Sequence, residues 1–208
     1  MMHHKTAFIA VLDSVLSAQK YIKTVREKAG TFNYELIIAV REPLPTMLEQ
    51  SEGCKIFYVP ITEEAEIYKV RNIARYLISS DSALLLFLDK LPKELSETWL
   101  RNCTIPFSVE PIITGVSGVK GAPVSTEIEH QILHRLKTFI HIDEANFKEC
   151  CCVDNKLYYV EENGACMSVR VWDYIGGYAI LSPFPHLEYC ARVSALRHII
   201  YITKEINA

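Results

Sequence analysis

Four short, almost wholly apolar runs constrain the fold of this chain more than any other feature of its sequence. They are AFIAVL at 7–12, YELIIAV at 34–40, KIFYVP at 55–60 and ALLLFLD at 83–89. Each run has the length of a β-strand, and a strand that is apolar on nearly every residue is buried on both faces. Such strands are typical of a mainly parallel central sheet that helices cover on both faces.

Apolar residues at helical spacing fill the intervals between these runs. They recur over 14–29 and over 63–80, and the second segment has an acidic first turn, which suits the dipole of a helix. The resulting order, β-α-β-β-α-β, predicts one α/β domain over 1–208. Further helices are predicted at 91–103 and about 125–139, and further strands at 108–118 and 156–162.

The charge and the cysteine content exclude several classes of protein. The chain has 22 Lys and Arg against 25 Asp and Glu, a net charge of −3, so no nucleic-acid partner is expected. Seven cysteines without regular spacing argue against a secreted disulfide scaffold and predict reduced thiols in a cytoplasmic protein. The chain has no run of 18 apolar residues, so no transmembrane segment is expected.

Acidic side chains stand directly after three of the apolar runs. These are Asp13, Glu42 and Asp89. The carboxyl ends of parallel strands form the edge of a sheet at which ligands bind. A carboxylate that ends a buried strand loses solvation unless it faces a cleft, a cation or hydrogen-bond donors. Asp89 is therefore the strongest candidate for a site residue. The alternative is that it only caps the helix predicted to begin near 92.

Two sets of short motifs follow one another along the chain. The first contains Arg71, Asn72, Asp81 and the strand-end Asp89. The second contains Gly164, Cys166, Arg170, Gly176, Gly177, Tyr178, Glu188 and Arg192. Their order resembles that of GT-A-fold nucleotide-sugar glycosyltransferases of the family-2 type. The resemblance covers most of 7–192, and the size also resembles that of small glycosyltransferase-like proteins of archaeal viruses.

The resemblance implies a GT-A-like domain that transfers a sugar, as a hexosyltransferase does, from a nucleotide-diphosphate sugar to a hydroxyl acceptor with inversion. A nucleotide-binding half would cover about 7–103, and an acceptor and catalytic half about 104–208. A divalent ion, Mn²⁺ or Mg²⁺, would bind Asp89. The residues implied to bind the nucleotide sugar are Asp13, Glu42, Arg71, Asn72, Asp89, Lys90, Gly177 and Arg192.

Three departures from the family pattern bear on these roles. Lys90 follows Asp89, so the second aspartate of the Asp-x-Asp signature is missing, although the lysine could neutralise phosphate charge directly. The second strand leads into Arg41 and Glu42 where the family usually has acidic residues. The family's Asp-Glu after Gly-Gly-Phe/Tyr is replaced by Ala179-Ile180.

An inverting transfer needs a base that takes the proton of the acceptor hydroxyl. Glu188 is the first candidate, and the alternative is that it only pairs with Arg192 four residues later on a helix. By position, His186 replaces the family's first acid and is the second candidate, because a histidine can act as a base near neutral pH. Asp173 is the third.

The pair Gly176-Gly177 allows two interpretations. It forms a tight turn that lets the backbone run close beneath the sugar and acceptor, or it is a helix C-cap, where glycine is the commonest residue.

Two other functions compete with glycosyl transfer. A nucleotidyltransferase usually has a glycine-rich basic loop after its first strand, and residues 11–20 contain no glycine. A GT-A-like binding or structural protein without catalysis would explain the missing second aspartate. We expect a glycan or glycoprotein acceptor and a cytoplasmic location, which for a viral protein is the host cytoplasm, and a homodimer is possible.

Overall fold

The computed structural model describes residues 5–42, 53–60, 63, 66–109 and 114–202, and every structural statement below concerns this part of the chain. Its first half contains β1 (Lys5–Leu12), α1 (Val15–Lys28), β2 (Tyr34–Val40), β3 (Cys54–Tyr58), α2 (Glu66–Ala74), β4 (Ser82–Phe87) and α3 (Glu97–Val109). Its second half contains β5 (Thr114–Gly118), α4 (Thr126–Ile140), α5 (Glu144–Cys151), β6 (Cys152–Val153), β7 (Lys156–Leu157), β8 (Cys166–Ser168), α6 (Val169–Ile175), α7 (Pro185–Ala195) and β9 (Ile199–Ile202).

Seven strands form one sheet in the order β3-β2-β1-β4-β8-β5-β9. Strand β8 runs antiparallel to both of its neighbours, and the other pairs are parallel. In the centre of the sheet, Phe8 lies opposite Leu36 on one side and Leu86 on the other. The prediction of a mainly parallel α/β sheet is thus confirmed, with β8 as the one reversed strand among those described.

Helices cover both faces of the sheet, as the apolar strands predict. On one face, α1 and α3 pack through Tyr21, Val25, Leu100 and Phe107 against even-numbered strand residues such as Phe8. On the other face, α2, α6 and α7 pack against odd-numbered residues of β1, β2, β4 and β8, and against Val116 and Ile200. The helix side chains in this core are Ala74, Trp172, Tyr189, Cys190 and Val193. Alternate residues of one strand therefore supply two separate cores.

The connections leave a crevice between β1 and β4. From β1 the chain passes through α1 to β2, which lies on one side of β1. From β3 it passes through α2, on the opposite face of the sheet from α1, to β4, which lies on the other side of β1. Loops that leave two neighbouring strands in opposite directions open a crevice at their carboxyl ends, where α/β proteins bind ligands. Asp13 and Asp89 follow those two strands.

A third cluster of apolar side chains lies outside the sheet. It joins α4, α5 and α7 through Ile132, Leu136, Phe147 and Ala191. The hairpin of β6 and β7 is held to it because the buried carboxylate of Glu129 accepts a 2.8 Å hydrogen bond from the backbone of Leu157. None of the helices in the described ranges is long and apolar enough to cross a membrane.

Several predicted element boundaries were wrong. Helix α2 ends at Ala74, and turns then lead into β4. Helix α3 is shifted six residues toward the C-terminus and contains Pro106, because burial of its apolar face outweighs the lost hydrogen bond.

The two predicted later strands are also shorter than expected. Of 108–118, residues 108–109 belong to α3, residues 110–113 lie outside the described part, and only Thr114–Gly118 is a strand. Of 156–162, only Lys156–Leu157 is a strand, and Val160 forms a single bridge with Lys120, outside any strand. Tyrosines in this segment contribute to side-chain packing instead of a long ladder.

Candidate functional site

Asp89 lies in the crevice, two residues beyond the end of β4. Its Oδ1 accepts a 2.8 Å hydrogen bond from the backbone N–H of Val11 in β1. The backbone oxygen of the preceding Leu88 accepts a hydrogen bond from the Tyr21 hydroxyl at 2.9 Å. Burial, and secondarily the charge of Asp89, raise the pKa of Tyr21, so this donor stays protonated. The carboxylate is thus fixed against the neighbouring strand and not merely placed as a helix cap.

The second oxygen of Asp89 binds an arginine that is almost wholly buried. Arg71 Nη2 lies 2.6 Å from Asp89 Oδ2, and Nη1 forms an ion pair with Glu162. The guanidinium packs on the Phe87 ring, with 4.9 Å from Cζ to the ring centroid, and near the Tyr68 ring at 5.8 Å. Only 2% of the Arg71 side chain is exposed, against 24% for Asp89 and 31% for Glu162. The cation is inside and both carboxylates face outward.

The segment that carries Glu162 is fixed to the end of β4. The Tyr68 hydroxyl donates to Glu162 Oε2 at 3.0 Å. The Asn163 side chain accepts from the Lys90 backbone N–H and donates to the Lys90 carbonyl. The Gly164 N–H donates to the Phe87 carbonyl at 2.7 Å. We call Asp89, Arg71 and Glu162 the edge triad; it carries a formal charge of −1.

The other residues predicted at this edge are more exposed. Asp13 pairs with Arg41 at 3.7 Å, and 87% of its side chain is exposed. Glu42 accepts a 3.3 Å hydrogen bond from the backbone of Val15, at the start of α1. Lys90 is exposed, and no ion pair of its ammonium group is found within the described ranges. These three follow β1, β2 and β4 at the same carboxyl edge as the edge triad.

Glu188 belongs to a different part of the molecule, a cleft of about 730 Å³ between α4, α6 and α7. Its side chain is 3% exposed and accepts a 2.5 Å hydrogen bond from Arg135 Nε. Arg192 Nε lies 3.9 Å from its other oxygen. We call Arg135, Glu188 and Arg192 the cleft triad; it carries a formal charge of +1.

Gly176 lines this cleft, and the glycine pair ends helix α6. Gly176 has φ 91° and Gly177 has φ 68°, and both N–H groups donate to the Trp172 carbonyl. A side chain on Gly177 would place its Cβ 2.8 Å from Asn72 Oδ1. The glycine pair therefore forms a helix C-cap, and α2 packs so closely against Gly177 that no side chain fits there.

Asn72 and Arg192 hold this turn and do not line the crevice. Asn72 exchanges two hydrogen bonds with the Tyr178 backbone, at 2.9 and 3.0 Å. Arg192 donates to the carbonyls of Ile175 and Gly177. The structure therefore separates Asn72, Gly177 and Arg192 from the edge residues with which the sequence grouped them.

His186 is closed off inside the protein. Nδ1 lies 3.0 Å from the Tyr178 hydroxyl, and Nε2 lies 2.8 Å from the Val160 carbonyl. The second contact requires the proton on Nε2, so Nδ1 accepts from the tyrosine. The pKa of His186 is lowered from 6.5 to about 4, mainly by burial and in part by the charge of Arg71, against the opposing effect of the Val160 hydrogen bond. Both nitrogens are occupied, so the structure gives no support to its predicted role as base.

Asp173 lies on the surface, half exposed, in a two-point ion pair with Arg75. Its oxygens lie 2.8 and 2.6 Å from Arg75 Nε and Nη2. It lines neither the crevice nor the cleft that contains Glu188, as far as the described residues define them. Asp173 lines two other pockets on the surface, and its role as a base stays a prediction.

Two charged residues of these triads were missed in the sequence. Glu162 was assigned to a strand. The signal that could have found it is the acidic pair at 161–162 followed by the turn residues Asn163 and Gly164, because acidic residues also follow the other strands. Arg135 gave no signal, because one arginine on an amphipathic helix reads as a solvent-facing residue. No group of three or more His, Cys, Asp or Glu side chains that could hold a metal lies within the described part of the chain.

Comparisons by sequence found no matching protein-family model and no matching curated protein. Comparison by structure found the mannosyltransferase PcManGT from Pyrobaculum calidifontis, solved in complex with GDP-Man and Mn²⁺, with a TM-score of 0.60 at 7% identity. The alignment covers 98% of this chain and 55% of that one. It also found S. aureus TarS 1–349, with a TM-score of 0.57 at 9% identity over 97% of this chain and 58% of that one.

The chain thus spans little more than half the length of these two structures. The alignments cover almost all of this chain, and at such low identity the likeness concerns the fold. The protein therefore has the GT-A-like fold of nucleotide-sugar glycosyltransferases.

Proposed function

We propose that this protein transfers a sugar, as a hexosyltransferase, from a nucleotide-diphosphate sugar to a hydroxyl acceptor with inversion. The observation that carries the proposal is the position of Asp89, fixed by Val11 and Arg71 in the crevice between β1 and β4. Ligands of α/β folds bind in such crevices. A mannosyltransferase of the same fold was solved with GDP-Man and Mn²⁺, which supports a donor of this class.

The charges at the edge favour a divalent cation together with the donor. The edge triad has a net charge of −1, and a nucleotide diphosphate adds about two further negative charges, so the two repel each other without a cation between them. Asp89 and Glu162 are hard oxygen ligands with partly exposed carboxylates, and Mg²⁺ typically takes one or two carboxylates plus phosphate oxygens and waters.

The donor set therefore fits Mn²⁺ or Mg²⁺, with Asp89 and Glu162 as the residues that would hold it. Such an ion would neutralise charge that develops on the leaving diphosphate. Arg71, buried behind both carboxylates, would orient them, and the exposed Lys90 would approach the diphosphate from the loop. Asp13 and Glu42, at the ends of β1 and β2, are proposed to contact the nucleoside.

Glu188 is the proposed base, because it lines the cleft of about 730 Å³, whereas His186 is enclosed and both oxygens of Asp173 are bound by Arg75. The acceptor hydroxyl must come within hydrogen-bond distance of its carboxylate. We keep the division into a donor half at about 7–103 and an acceptor half at about 104–208, with Glu162 as a second-half residue at the donor edge. The glycan or glycoprotein acceptor, the homodimer and the cytoplasmic location stay predictions.

Thermal unfolding with UDP-, GDP-, ADP- and dTDP-sugars, each with and without Mn²⁺, tests the donor site. A donor at about 100 times its dissociation constant stabilises the fold by roughly 2.7 kcal/mol, which raises the melting temperature measurably. We expect one nucleotide class to do so in the presence of metal. Absence of any donor effect in the unaltered protein would contradict the proposed function.

Four variants locate the donor effect and separate donor binding from transfer. Asp89→Asn and Glu162→Gln should abolish the metal-dependent rise. Glu161→Gln is the matched control, because it makes the same charge change one residue away on an exposed side chain. Glu188→Gln should retain donor binding and lose transfer. Donor binding without transfer in the unaltered protein, tested with a panel of hydroxyl acceptors, would indicate a binding protein that lacks catalysis.

A further inference from the structure

The cleft between α4, α6 and α7 combines an apolar rim with a charged floor. Four large apolar side chains at the rim are exposed to solvent, the most extreme being Leu181 at 88%. The others are Tyr174, Phe139 and Ile180. Contiguous exposed apolar surface beside polar groups is typical of a binding site.

The floor is formed by the cleft triad, whose charges are withdrawn from the surface. Only 3% of the Glu188 side chain and 10% of the Arg192 side chain are exposed. Two guanidinium groups against one carboxylate leave one positive charge uncompensated by the triad itself. Arg192 Nε is buried and has no hydrogen-bond partner among the described residues. Because Arg192 Nε is enclosed and lies 3.9 Å from Glu188, it is the residual positive charge of the cleft triad that favours an incoming anion.

Arg135 is positioned to bind that anion. Its Nε is fixed by Glu188, and its Cζ lies 5.2 Å from the centroid of the Phe139 ring, so the plane of the guanidinium is held. Its side chain is 21% exposed, and no hydrogen bond from its Nη nitrogens to another described residue is found. A guanidinium with two free Nη groups matches a carboxylate or phosphate in a two-point contact.

We propose that this cleft binds a single-chain amphiphile whose carboxylate or phosphate head contacts Arg135 and whose hydrocarbon chain lies along Phe139, Ile180 and Leu181. A volume of about 730 Å³ is in the range of small-molecule sites. Because the charges lie at the floor, a flat membrane surface does not reach them, whereas the head of one molecule does. The amphiphile would occupy the same cleft in which Glu188 is proposed to meet the acceptor, but its binding requires neither a donor nor transfer.

Calorimetric titration with three probes tests the inference in the absence of any nucleotide sugar. Decanoate, kept below its aggregation concentration, supplies both head and chain, 1-decanol supplies the chain alone, and acetate supplies the head alone. We expect saturable binding of decanoate and at least tenfold weaker binding of the other two, because a charge-assisted two-point contact is lost in one case and chain burial in the other.

Two variants identify the site. Arg135→Gln should weaken decanoate binding at least tenfold, and Arg197→Gln, an arginine with 72% side-chain exposure, is its control. Leu181→Ser should weaken it at least threefold, and Val109→Ser, an exposed residue of α3, is its control. Leu181 is so exposed that its replacement leaves the fold intact, so this variant decides the matter if Arg135→Gln unfolds.

The proposal is overturned if decanoate shows no saturable binding, if 1-decanol binds equally well, or if neither cleft variant differs from its control. Phosphatidylglycerol vesicles present the same chemistry as a surface, and we expect no binding to them. If the protein binds vesicles, and if Leu181→Ser and Arg135→Gln change neither vesicle binding nor decanoate binding, the anionic amphiphile binds another surface.

Discussion

The edge triad and the cleft triad contain the same two kinds of side chain in opposite proportions. At the edge, one buried arginine lies behind two outward-facing carboxylates; in the cleft, one buried carboxylate lies between two arginines. The residual charge is −1 in the first and +1 in the second. The comparison shows that two features determine the sign of the charge on the ligand that each site can accept. These are the ratio of arginines to carboxylates and which of the two is buried.

Two residues lie between these regions. His186 contacts the Tyr178 hydroxyl at the cleft and the Val160 carbonyl at the base of the segment that carries Glu162. Asn72 follows Arg71 in α2 and binds the turn beside the cleft. Substitutions at the triads and at these intermediates test whether the two regions are independent.

The largest effect is expected for Arg71→Met. It removes a cation with a 2% exposed side chain and leaves two neighbouring carboxylates unneutralised, which should cost about 3–5 kcal/mol of unfolding free energy. Urea denaturation measures it. Arg135→Met should cost less, because Arg192 still pairs with Glu188. An equal or larger cost for Arg135→Met would contradict the assigned difference between the triads.

A pH-dependent loss of stability is expected next, from His186. Its pKa is lowered by burial from 6.5 to about 4, so between those values the unfolded chain binds a proton that the folded chain does not. The contribution is fully present above pH 6.5 and is lost as the pH falls toward 4, by about 3 kcal/mol in all.

Melting curves across this pH range measure the effect. His186→Gln, which cannot titrate, should show a shallower fall in stability, whereas His130→Gln, at an exposed position, should retain the original slope. A His186→Gln slope identical to that of the unaltered protein would show that His186 is not held in its neutral form.

A moderate effect is expected for Asn72→Ala. It removes both hydrogen bonds to Tyr178 and should cost about 1–2 kcal/mol, with donor-induced stabilisation unchanged. Urea denaturation and donor-dependent melting curves give the two quantities. Loss of the donor effect would return Asn72 to the donor site and break the separation between the two regions.

The smallest effect is expected for Asp173→Asn. Its ion pair with Arg75 is half exposed on the aspartate side and should contribute at most about 1 kcal/mol. Transfer should proceed at the normal rate. A variant that folds normally but transfers no sugar would identify Asp173 as the base and remove Glu188 from that role.

The four N-terminal strands of the sheet could be predicted because each is apolar on both faces, and a buried parallel strand gives a continuous signal. Strand β8 could not, since three residues contain no period, and its place between β4 and β5 depends on tertiary pairing. Helix ends near Ala74 and Pro106 were misplaced because packing of one face overrode local preferences.

At the candidate sites, single positions were predictable but their groupings were not. Asp89 stood out because an acid after a buried strand needs a partner. Its partners are Arg71 and Glu162. Asn72 points away from them because successive helix residues are rotated by about 100°, and Glu162 is brought in by a segment that is distant in the sequence. Neither the pairing of Arg135 with Glu188 nor the closure of His186 leaves a pattern in the sequence.

The reversed direction of β8 has a consequence for the order of events during synthesis. Because β8 runs antiparallel to β4, the chain enters β8 from the carboxyl edge of β4, and the segment that carries Glu162 lies at that edge. Asn163, which holds this segment to Lys90, follows Lys90 by 73 residues in the sequence. A growing chain can form β1 to β4 well before Glu162 leaves the ribosome, since early segments fold first. Arg71 then faces Asp89 alone, and the ability to retain a divalent ion arises only when the last third of the chain docks.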